Sequence, residues 1–397
     1  MTHTNETAGT TTTFPSRRAF TGACAAGALT LATGGATARA STPPAPADFT
    51  ALRAAISDLA HPEATAAQLL VEWQGSRWYG TAGATDSADR RPVRRDDRFR
   101  AGSVTKALVA TAVLQLWAEG RVDLDAPVTH ALPGLGLPAG FRRVRIAHLL
   151  NHTSGLPDAQ GLPDLSTPET VLRHRFDHWT PEQLVGTVTH APLKFEPGTK
   201  QEYRGINYVL LALLTEQSTG RRYGDVIASR ILRPLGLTRT FLPGDDPRIH
   251  GPHIHGYLRM TDGTLRDATV YDQSASWGEG ELVATADDLF RFQHALFSGA
   301  VLPPRALEKM VTLPPPTVRM LDGSPARYGM GLQTATVNGT TFWGKSGESY
   351  GYRTRMFATR DLTTSFVLSY TPTPLNAQED MITRVVTALT SPHPQRS

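Results

Sequence analysis

Apolar and polar positions change their period along this chain. Toward its end, alternation of apolar with polar side chains predicts consecutive antiparallel strands, separated by segments containing Gly, Asn or Asp: residues 328–337, 340–344, 352–359 and 364–370. Residues 67–73 and 78–83 alternate in the same way and predict a strand pair near the start. The chain therefore has strands at both ends.

Helical spacing of apolar residues marks the remaining elements. It predicts a first helix over 48–59 capped by Asp48, an apolar helix over 103–119 ended by Gly120, and a closing helix over 376–389. Helical pieces between Pro- and Gly-rich loops are expected over about 123–313. The predicted fold class is α/β (α+β), an antiparallel sheet flanked by the N- and C-terminal helices with a mostly helical second lobe.

This arrangement predicts how the chain is divided. One domain is expected over 49–397, with a sheet lobe made of 49–102 and 314–397 and a helical lobe made of 103–313. Clefts between two such lobes are common places for an active site.

Composition narrows the class of protein. The 397 residues include 40 Lys and Arg against 36 Asp and Glu, and 40% are hydrophobic, which is typical of a globular chain and excludes a disordered or multi-span membrane protein. The net charge of +4 is not concentrated in a basic block, so no nucleic-acid partner is predicted.

The first forty residues have the pattern of an export signal. Arg17 and Arg18 precede an aromatic residue, an uncharged stretch rich in Ala, Gly and Leu, and a small-x-small site that ends at Ala40. This predicts a twin-arginine-type signal peptide over 1–40, a Pro-rich linker over 41–48 and a secreted, soluble product. A signal anchor that stays in the membrane is the alternative, disfavoured because the stretch is barely apolar enough to span a bilayer.

Ser103 and Lys106 are the first candidates for chemistry. Their spacing of three places both side chains on one face of the predicted helix. A serine hydroxyl becomes a nucleophile when a base accepts its proton, and a lysine amine is such a base where burial or another cation lowers its pKa. The alternative is a helix-capping serine beside a solvated lysine. The chain has five lysines against 35 arginines, which favours a chemical role because guanidinium cannot act as a base.

The sequence resembles the penicillin-recognising serine hydrolases, above all exported D-alanyl-D-alanine carboxypeptidases and their class C β-lactamase and esterase relatives. Besides Ser103 and Lys106, the resemblance rests on ordered motifs over most of the chain: residues 146–156, 195–199, 207–211, 282–289, 328–331 and 345–347. It implies a β-lactamase/transpeptidase-like fold and a reaction through an acyl-enzyme on Ser103.

The same resemblance assigns two further catalytic residues. Tyr203 matches the family tyrosine that passes a proton between the serine and the leaving group, which requires the pKa of the phenol to fall; a buried core tyrosine is the alternative. Lys345 matches the cation that depresses the pKa values of Lys106 and Tyr203. The family places an asparagine two residues after the tyrosine, where its amide holds the substrate carbonyl and orients the lysine. This chain has Gly205 there.

Residues 346–348 are expected at the edge of the cleft. Ser346 and Gly347 continue the family motif, and by resemblance the backbone N–H groups of Ser103 and Glu348 form the oxyanion hole. Glu348 is a second departure, because the carboxypeptidase branch has a small or hydroxyl residue there and a carboxylate repels a substrate's terminal carboxylate. Arg353 is a candidate to compensate for this charge.

Two other motifs are weaker. Residues 339–346 match the phosphate-loop pattern, but a strand-like segment follows where that loop requires a helix, which disfavours nucleotide binding. His148 and His152 lack the glutamate of the zinc motif and are predicted to be structural. No metal or organic cofactor is predicted.

Two classes of function remain. The first is an exported serine hydrolase, with a D-alanyl-D-alanine carboxypeptidase or related D-amino acid peptidase as first candidate and an esterase or β-lactamase, which Gly205 and Glu348 favour, as second. The other class is a non-catalytic protein on the same fold that binds peptidoglycan stem peptides or β-lactams. The expected partner is a small molecule or peptide, with no nucleic acid and no membrane span after cleavage, and the sequence leaves the oligomeric state open.

Overall fold

The structure, a computed structural model, describes residues 48–391. The predicted signal peptide and all but the last residue of the predicted linker lie outside these residues. The strands are β1 (Ala64–Trp73), β2 (Ser76–Gly83), β3 (Phe99–Gly102), β4 (Lys200–Gln201), β5 (Tyr257–Arg259), β6 (Leu265–Asp267), β7 (Leu282–Ala284), β8 (Arg319–Met320), β9 (Gln333–Val337), β10 (Thr340–Ser349), β11 (Tyr352–Ala358) and β12 (Thr364–Pro372). The α-helices are α1 (Thr50–Ser57), α2 (Thr105–Ala118), α3 (Val128–Ala131), α4 (Ile146–Leu150), α5 (Pro168–Arg173), α6 (Pro181–Gly186), α7 (Ile206–Thr219), α8 (Tyr223–Ile227), α9 (Ala286–Phe297), α10 (Pro304–Val311) and α11 (Asp380–Thr390).

Six strands form one antiparallel sheet in the order β2-β1-β12-β11-β10-β9, which confirms the predicted fold class. Because successive strand side chains point to opposite faces, neighbouring residues of β1 enter different cores. Leu69 packs in a cluster with Ile56 of α1 and Val385 of α11. Leu70 belongs to the larger cluster built around α2. Helices therefore cover both faces of the sheet, as the sequence predicts.

The last strands differ from their predicted bounds in two places. The strand predicted from residue 328 begins at Gln333, because the chain turns at Gly331, whose φ is +103°. The strand predicted over 340–344 continues to Ser349 and pairs with β11 along that extension. Residues 339–346 therefore enter a strand that turns into another strand, and the helix required by a phosphate loop does not follow. The local structure therefore gives no support to the nucleotide interpretation, which stays disfavoured.

Helix α2 is the central helix of the larger cluster. Nearly every residue from Thr105 to Leu116 is buried, which is expected for a helix that is apolar on all sides. Ser103 lies in the turn between β3 and α2, two residues before the helix, whereas the sequence placed it inside the helix. Strand β3 pairs with β7 beside the main sheet, and this pairing brings residues near 280 against the start of α2. Among residues 48–391, none of the helices has the length and apolar character needed to cross a bilayer.

Candidate active site

Ser103 is held where two close backbone approaches meet. Gly102, just before it, has a φ of +54°, and a Cβ on Gly102 would lie 2.5 Å from the backbone nitrogen of Glu348. A Cβ on Gly347 would lie 1.9 Å from the carbonyl oxygen of Ala101 and 3.1 Å from the backbone nitrogen of Ser103. Strand β10 therefore passes against the serine turn with room for glycine alone at both positions. The backbone nitrogens predicted to form the oxyanion hole come from these two touching segments.

Lys106 lies one turn into the chain from Ser103 and is fully buried. Its Nζ lies 3.2 Å from Oγ of Ser103, 2.8 Å from the backbone carbonyl oxygen of Glu279 and 2.8 Å from Oε2 of the same glutamate. Burial lowers the pKa of the Lys106 amine, and the Glu279 carboxylate opposes that change. The direction agrees with the requirement that the sequence set for a lysine base.

Tyr203 lies between β4 and α7, against both lysines. Nζ of Lys106 is 5.1 Å and Nζ of Lys345 is 4.7 Å from the centroid of its ring. The phenol hydroxyl is buried and makes no hydrogen bond of ordinary geometry, although Ser103 is close enough to lower its pKa. Burial outweighs that effect and raises the pKa of Tyr203. The sequence predicts that this pKa falls, and that prediction is wrong. The phenol is enclosed by protein, and burial disfavours the charged phenolate.

Lys345 lies on β10 and is also buried. Its amine donates to the backbone carbonyl of Ser346 at 2.9 Å and to Oε1 of Gln333 at 3.3 Å. Burial, and then the charge of Lys106, hold the pKa of Lys345 well below its usual value. Burial of Lys106 itself is the first cause of its lowered pKa. Burial is thus the main cause of the Lys106 shift, and the lowering of the Tyr203 pKa that the sequence predicts for Lys345 is not found, because burial of the phenol raises that pKa.

Ser346 and Glu348, which follow Lys345 on β10, have side chains that contact different partners. The Ser346 hydroxyl donates to Oε1 of Gln333 at 2.9 Å, which fixes the strand edge beside the lysine. Oε1 of Glu348 lies 3.5 Å from Nε of Arg353 and 3.4 Å from an amino nitrogen of Arg355.

Both of these guanidiniums are buried, and that of Arg355 also contacts the Glu379 carboxylate at 2.5 Å. The two arginines therefore balance two carboxylates. Arg353 compensates for the Glu348 charge, as the sequence suggested.

Aromatic side chains pack around Tyr203. The rings of His152 and Tyr328 have centroids 4.5 Å and 5.2 Å from the Tyr203 ring. His152 is buried, and burial followed by the charges of Lys106 and Lys345 holds its pKa well below the usual value, so the imidazole is neutral. His152 therefore supports the tyrosine as a structural residue.

The other predicted structural histidine is His148, whose Nδ1 accepts from the backbone N–H of Arg145 at 3.1 Å. In the part of the chain that the structure describes, no three His, Cys, Asp or Glu side chains are grouped to hold a metal ion.

Glu279 is the site residue that the sequence analysis missed. It precedes β7, and its backbone N–H donates to the carbonyl of Ser276 at 3.0 Å in a tight turn. The side chain is 24% exposed and reaches Lys106 from the helical side of the site. The sequence contains one indication of such a residue. Gly205 leaves space where the family has an asparagine amide, and a side chain from another part of the chain is needed to fill that space.

The arrangement contains the components of nucleophilic acyl transfer. A hydroxyl lies against a buried amine, a protonated phenol lies beside that hydroxyl, and two backbone segments meet at the same serine. Ser103, Lys106, Tyr203 and Lys345, which the sequence named as catalytic, are brought together from distant parts of the chain. The geometry fits an acyl-enzyme reaction in which both proton carriers are inside the protein.

Known proteins share this architecture. A crystal structure of a D-stereospecific amidohydrolase from a Streptomyces species has a TM-score of 0.76 and 31% sequence identity, covering 88% of this chain and all of that one. Penicillin-binding protein 4* of Bacillus subtilis (strain 168) is 27% identical over 299 residues, 70% of this chain and 62% of its own. Esterase EstB of Burkholderia gladioli is 32% identical over 242 residues, 54% of this chain and 60% of its own. The chain thus spans about three fifths of the length of these two curated relatives.

The family assignment rests on a longer match. The family model described as Beta-lactamase matches residues 51–389, nearly the whole of the part of the chain that the structure describes. The six-stranded sheet and the converged serine, lysine and tyrosine agree with that match. This chain belongs to the Beta-lactamase family.

Proposed function

We propose that this protein is a serine hydrolase that forms an acyl-enzyme on Ser103 and releases the acyl group to water. The observation that carries the proposal is the contact of the Ser103 hydroxyl with the buried amine of Lys106 at 3.2 Å. Burial lowers the pKa of this amine, which favours its uncharged form, and only the uncharged form accepts a proton.

The proton path follows from the pKa directions. Oγ of Ser103 bonds to the substrate carbonyl carbon while its proton passes to Lys106, and the carbonyl oxygen becomes an oxyanion beside the backbone nitrogens of Ser103 and Glu348. The carbon–nitrogen bond then breaks, and Tyr203, whose raised pKa keeps it protonated, gives its proton to the leaving amine. Lys106 returns its proton to Tyr203. Water attacks the ester in the same way, so the sum is amide plus water to acid plus amine.

For the substrate we propose an amide or peptide bond of a D-amino acid. The 31% identical neighbour, which its title describes as a D-stereospecific amidohydrolase, supports this choice. Of the two peptidase candidates, the site favours an amidase or aminopeptidase acting on a D-amino acid over a D-alanyl-D-alanine carboxypeptidase. The substrate of a carboxypeptidase must place its terminal carboxylate near Glu348. The guanidiniums of Arg353 and Arg355, which could bind that carboxylate, are already paired with Glu348 and Glu379.

The test is a parallel assay of a D-amino acid amide, its L enantiomer, a D-Ala-D-Ala peptide, a short acyl ester and nitrocefin. We expect turnover of the D-amide above that of the L-amide, and no turnover by Ser103→Ala. Turnover of the ester alone would establish the esterase, which the similarity to EstB supports. A Ser103→Ala protein that still hydrolyses the D-amide would overturn the nucleophile assignment.

A non-catalytic binder is separated from an enzyme by a labelling chase. A fluorescent penicillin or fluorophosphonate labels an activated Ser103 covalently, and an enzyme releases a penicilloyl label over time. A protein that binds a D-Ala-D-Ala peptide but never acquires a label on Ser103 is a binder on this fold.

We also propose that the protein is exported through the segment 1–40. The support is the paired Arg17 and Arg18 before an apolar stretch and a small-x-small site. Fusion of residues 1–48 to a reporter that is active only after twin-arginine export tests this proposal, with Arg17→Lys/Arg18→Lys as the control. Equal export by both fusions would reject the twin-arginine route.

A further inference from the structure

We infer that Glu279 is the positioning residue of Lys106 and takes the place of the amide that Gly205 removes. The inference rests on the proposed role of Ser103 as a nucleophile. It concerns a residue outside the motifs that carry the family resemblance, and it explains both why position 205 is glycine and what holds the lysine amine.

The space at Gly205 is filled by the Glu279 carboxylate. A Cβ on Gly205 would lie 1.8 Å from Oε2 and 2.4 Å from Oε1 of Glu279, so any other residue at this position would displace the carboxylate. The backbone of Gly205 has a φ of −63° and a ψ of −43°, which any residue adopts. Glycine is therefore needed at this position so that the Glu279 carboxylate can keep its place beside Lys106, and not for backbone freedom.

Glu279 also accepts two of the hydrogen bonds that the Lys106 amine donates. A neutral lysine amine has two N–H donors and one lone pair. The ammonium form donates to Oγ of Ser103 and to the carbonyl and carboxylate oxygens of Glu279, which lie 2.8 Å from Nζ. In the uncharged form we infer that the two Glu279 oxygens keep the two remaining donors, so that the lone pair is directed toward Oγ of Ser103. After proton transfer, the carboxylate also stabilises the ammonium, in agreement with its raising effect on the pKa of Lys106.

The segment that carries Glu279 is fixed to the catalytic helix. Oγ1 of Thr105 donates to the Gly102 carbonyl at 2.7 Å and accepts from the backbone N–H of Leu282 at 3.0 Å. Gly102 pairs with Leu282 in the β3–β7 ladder. The residue next to Lys106 in sequence thus ties the Glu279 segment to the turn that presents Ser103. A group held this firmly positions the amine without further ordering.

The experiment measures the rate of Ser103 labelling by a fluorophosphonate as a function of pH. This reagent forms a bond from Oγ to phosphorus and expels fluoride, so its rate depends on serine activation whatever the natural substrate is. Glu279→Gln removes the charge that raises the pKa of Lys106, and we expect the acidic limb of the profile to move to lower pH. Glu279→Ala should in addition slow the plateau rate by roughly tenfold to a hundredfold.

Variants at position 205 separate space from hydrogen bonding. Gly205→Ala and Gly205→Asn should each slow labelling, because the new Cβ displaces the carboxylate. Gly205→Asn/Glu279→Ala supplies an amide in the vacated space and should recover a large part of the plateau rate, with the acidic limb still at lower pH. Gly205→Ala/Glu279→Ala, the matched control, frees the same space without an amide and should stay slow.

A control at the protein surface tests whether removing a carboxylate charge elsewhere on the protein changes the labelling profile. Glu119 follows the end of the same helix and pairs with Arg230, so Glu119→Gln should keep the wild-type profile. Glu279→Ala with the wild-type rate and limb would overturn the inference, and so would a wild-type protein whose Ser103 is never labelled. Labelling that depends on Glu279 in a protein that does not turn over D-amides would sustain the inference and reject the proposed substrate.

Discussion

Nζ of Lys345 lies 4.7 Å from the centre of the Tyr203 ring, and Nζ of Lys106 lies 5.1 Å from the same point. The phenol nevertheless keeps its proton, because burial lowers the pKa values of both amines and raises that of the phenol. Burial therefore favours the uncharged form of each of these three groups.

Tyr203→Phe should slow amide hydrolysis far more than hydrolysis of an activated ester. A leaving amine needs the proton of the phenol, whereas a nitrophenolate leaves without one, so we expect a loss of roughly a hundredfold or more in kcat for the amide alone. The phenol oxygen makes no well-formed hydrogen bond, and the ring contacts with His152 and Tyr328 remain, so the unfolding temperature should hardly change. An equal loss for both substrates would contradict the role as proton donor.

Lys106→Ala should slow acylation strongly while the fold is retained. Loss of the base is expected to slow Ser103 labelling by roughly a hundredfold to ten-thousandfold. The variant also leaves the Glu279 carboxylate without its partner, which destabilises the protein. Lys106→Ala/Glu279→Ala removes both charges and serves as the check on folding by thermal unfolding and circular dichroism. Rapid labelling in the double variant would show that another group accepts the serine proton.

Glu348→Gln should improve binding of substrates that end in a free carboxylate. The change leaves Glu379 as the remaining carboxylate against the guanidiniums of Arg353 and Arg355, so the pair carries a net positive charge toward the site edge. We expect KM for a D-Ala-D-Ala peptide to fall by several-fold to about tenfold while KM for its C-terminal amide is unchanged. Equal effects on both peptides would exclude this electrostatic explanation.

Glu281→Gln should flatten the dependence of stability on pH. Burial raises the pKa of the Glu281 carboxyl to about 8, and the carboxyl contacts the Tyr223 hydroxyl. Because the folded state keeps a proton that the unfolded state has lost, the free energy of unfolding should fall as pH rises from about 5 to about 8. Glutamine is neutral at every pH and removes this slope. Parallel stability curves for the two proteins, measured by urea unfolding, would argue against a protonated Glu281.

Much of the fold was predictable because it depends on local periodicity. The apolar run that becomes α2, the alternation in β11 and β12, and the closing helix α11 each carry their own pattern, and the structure confirms them within a few residues. The boundary errors fall where the chain turns, as at Gly331, since a turn depends on backbone geometry that periodicity does not encode.

The sequence by itself determined the serine, the lysine one turn away and the family to which both point. Tertiary structure alone decided the charge states and the partner of Lys106. Whether a buried amine or phenol is charged depends on everything packed around it, so the motifs predict the wrong direction for the shift in the Tyr203 pKa. Glu279 lies far along the chain from Gly205, and only folding brings its carboxylate into the space that the missing side chain leaves.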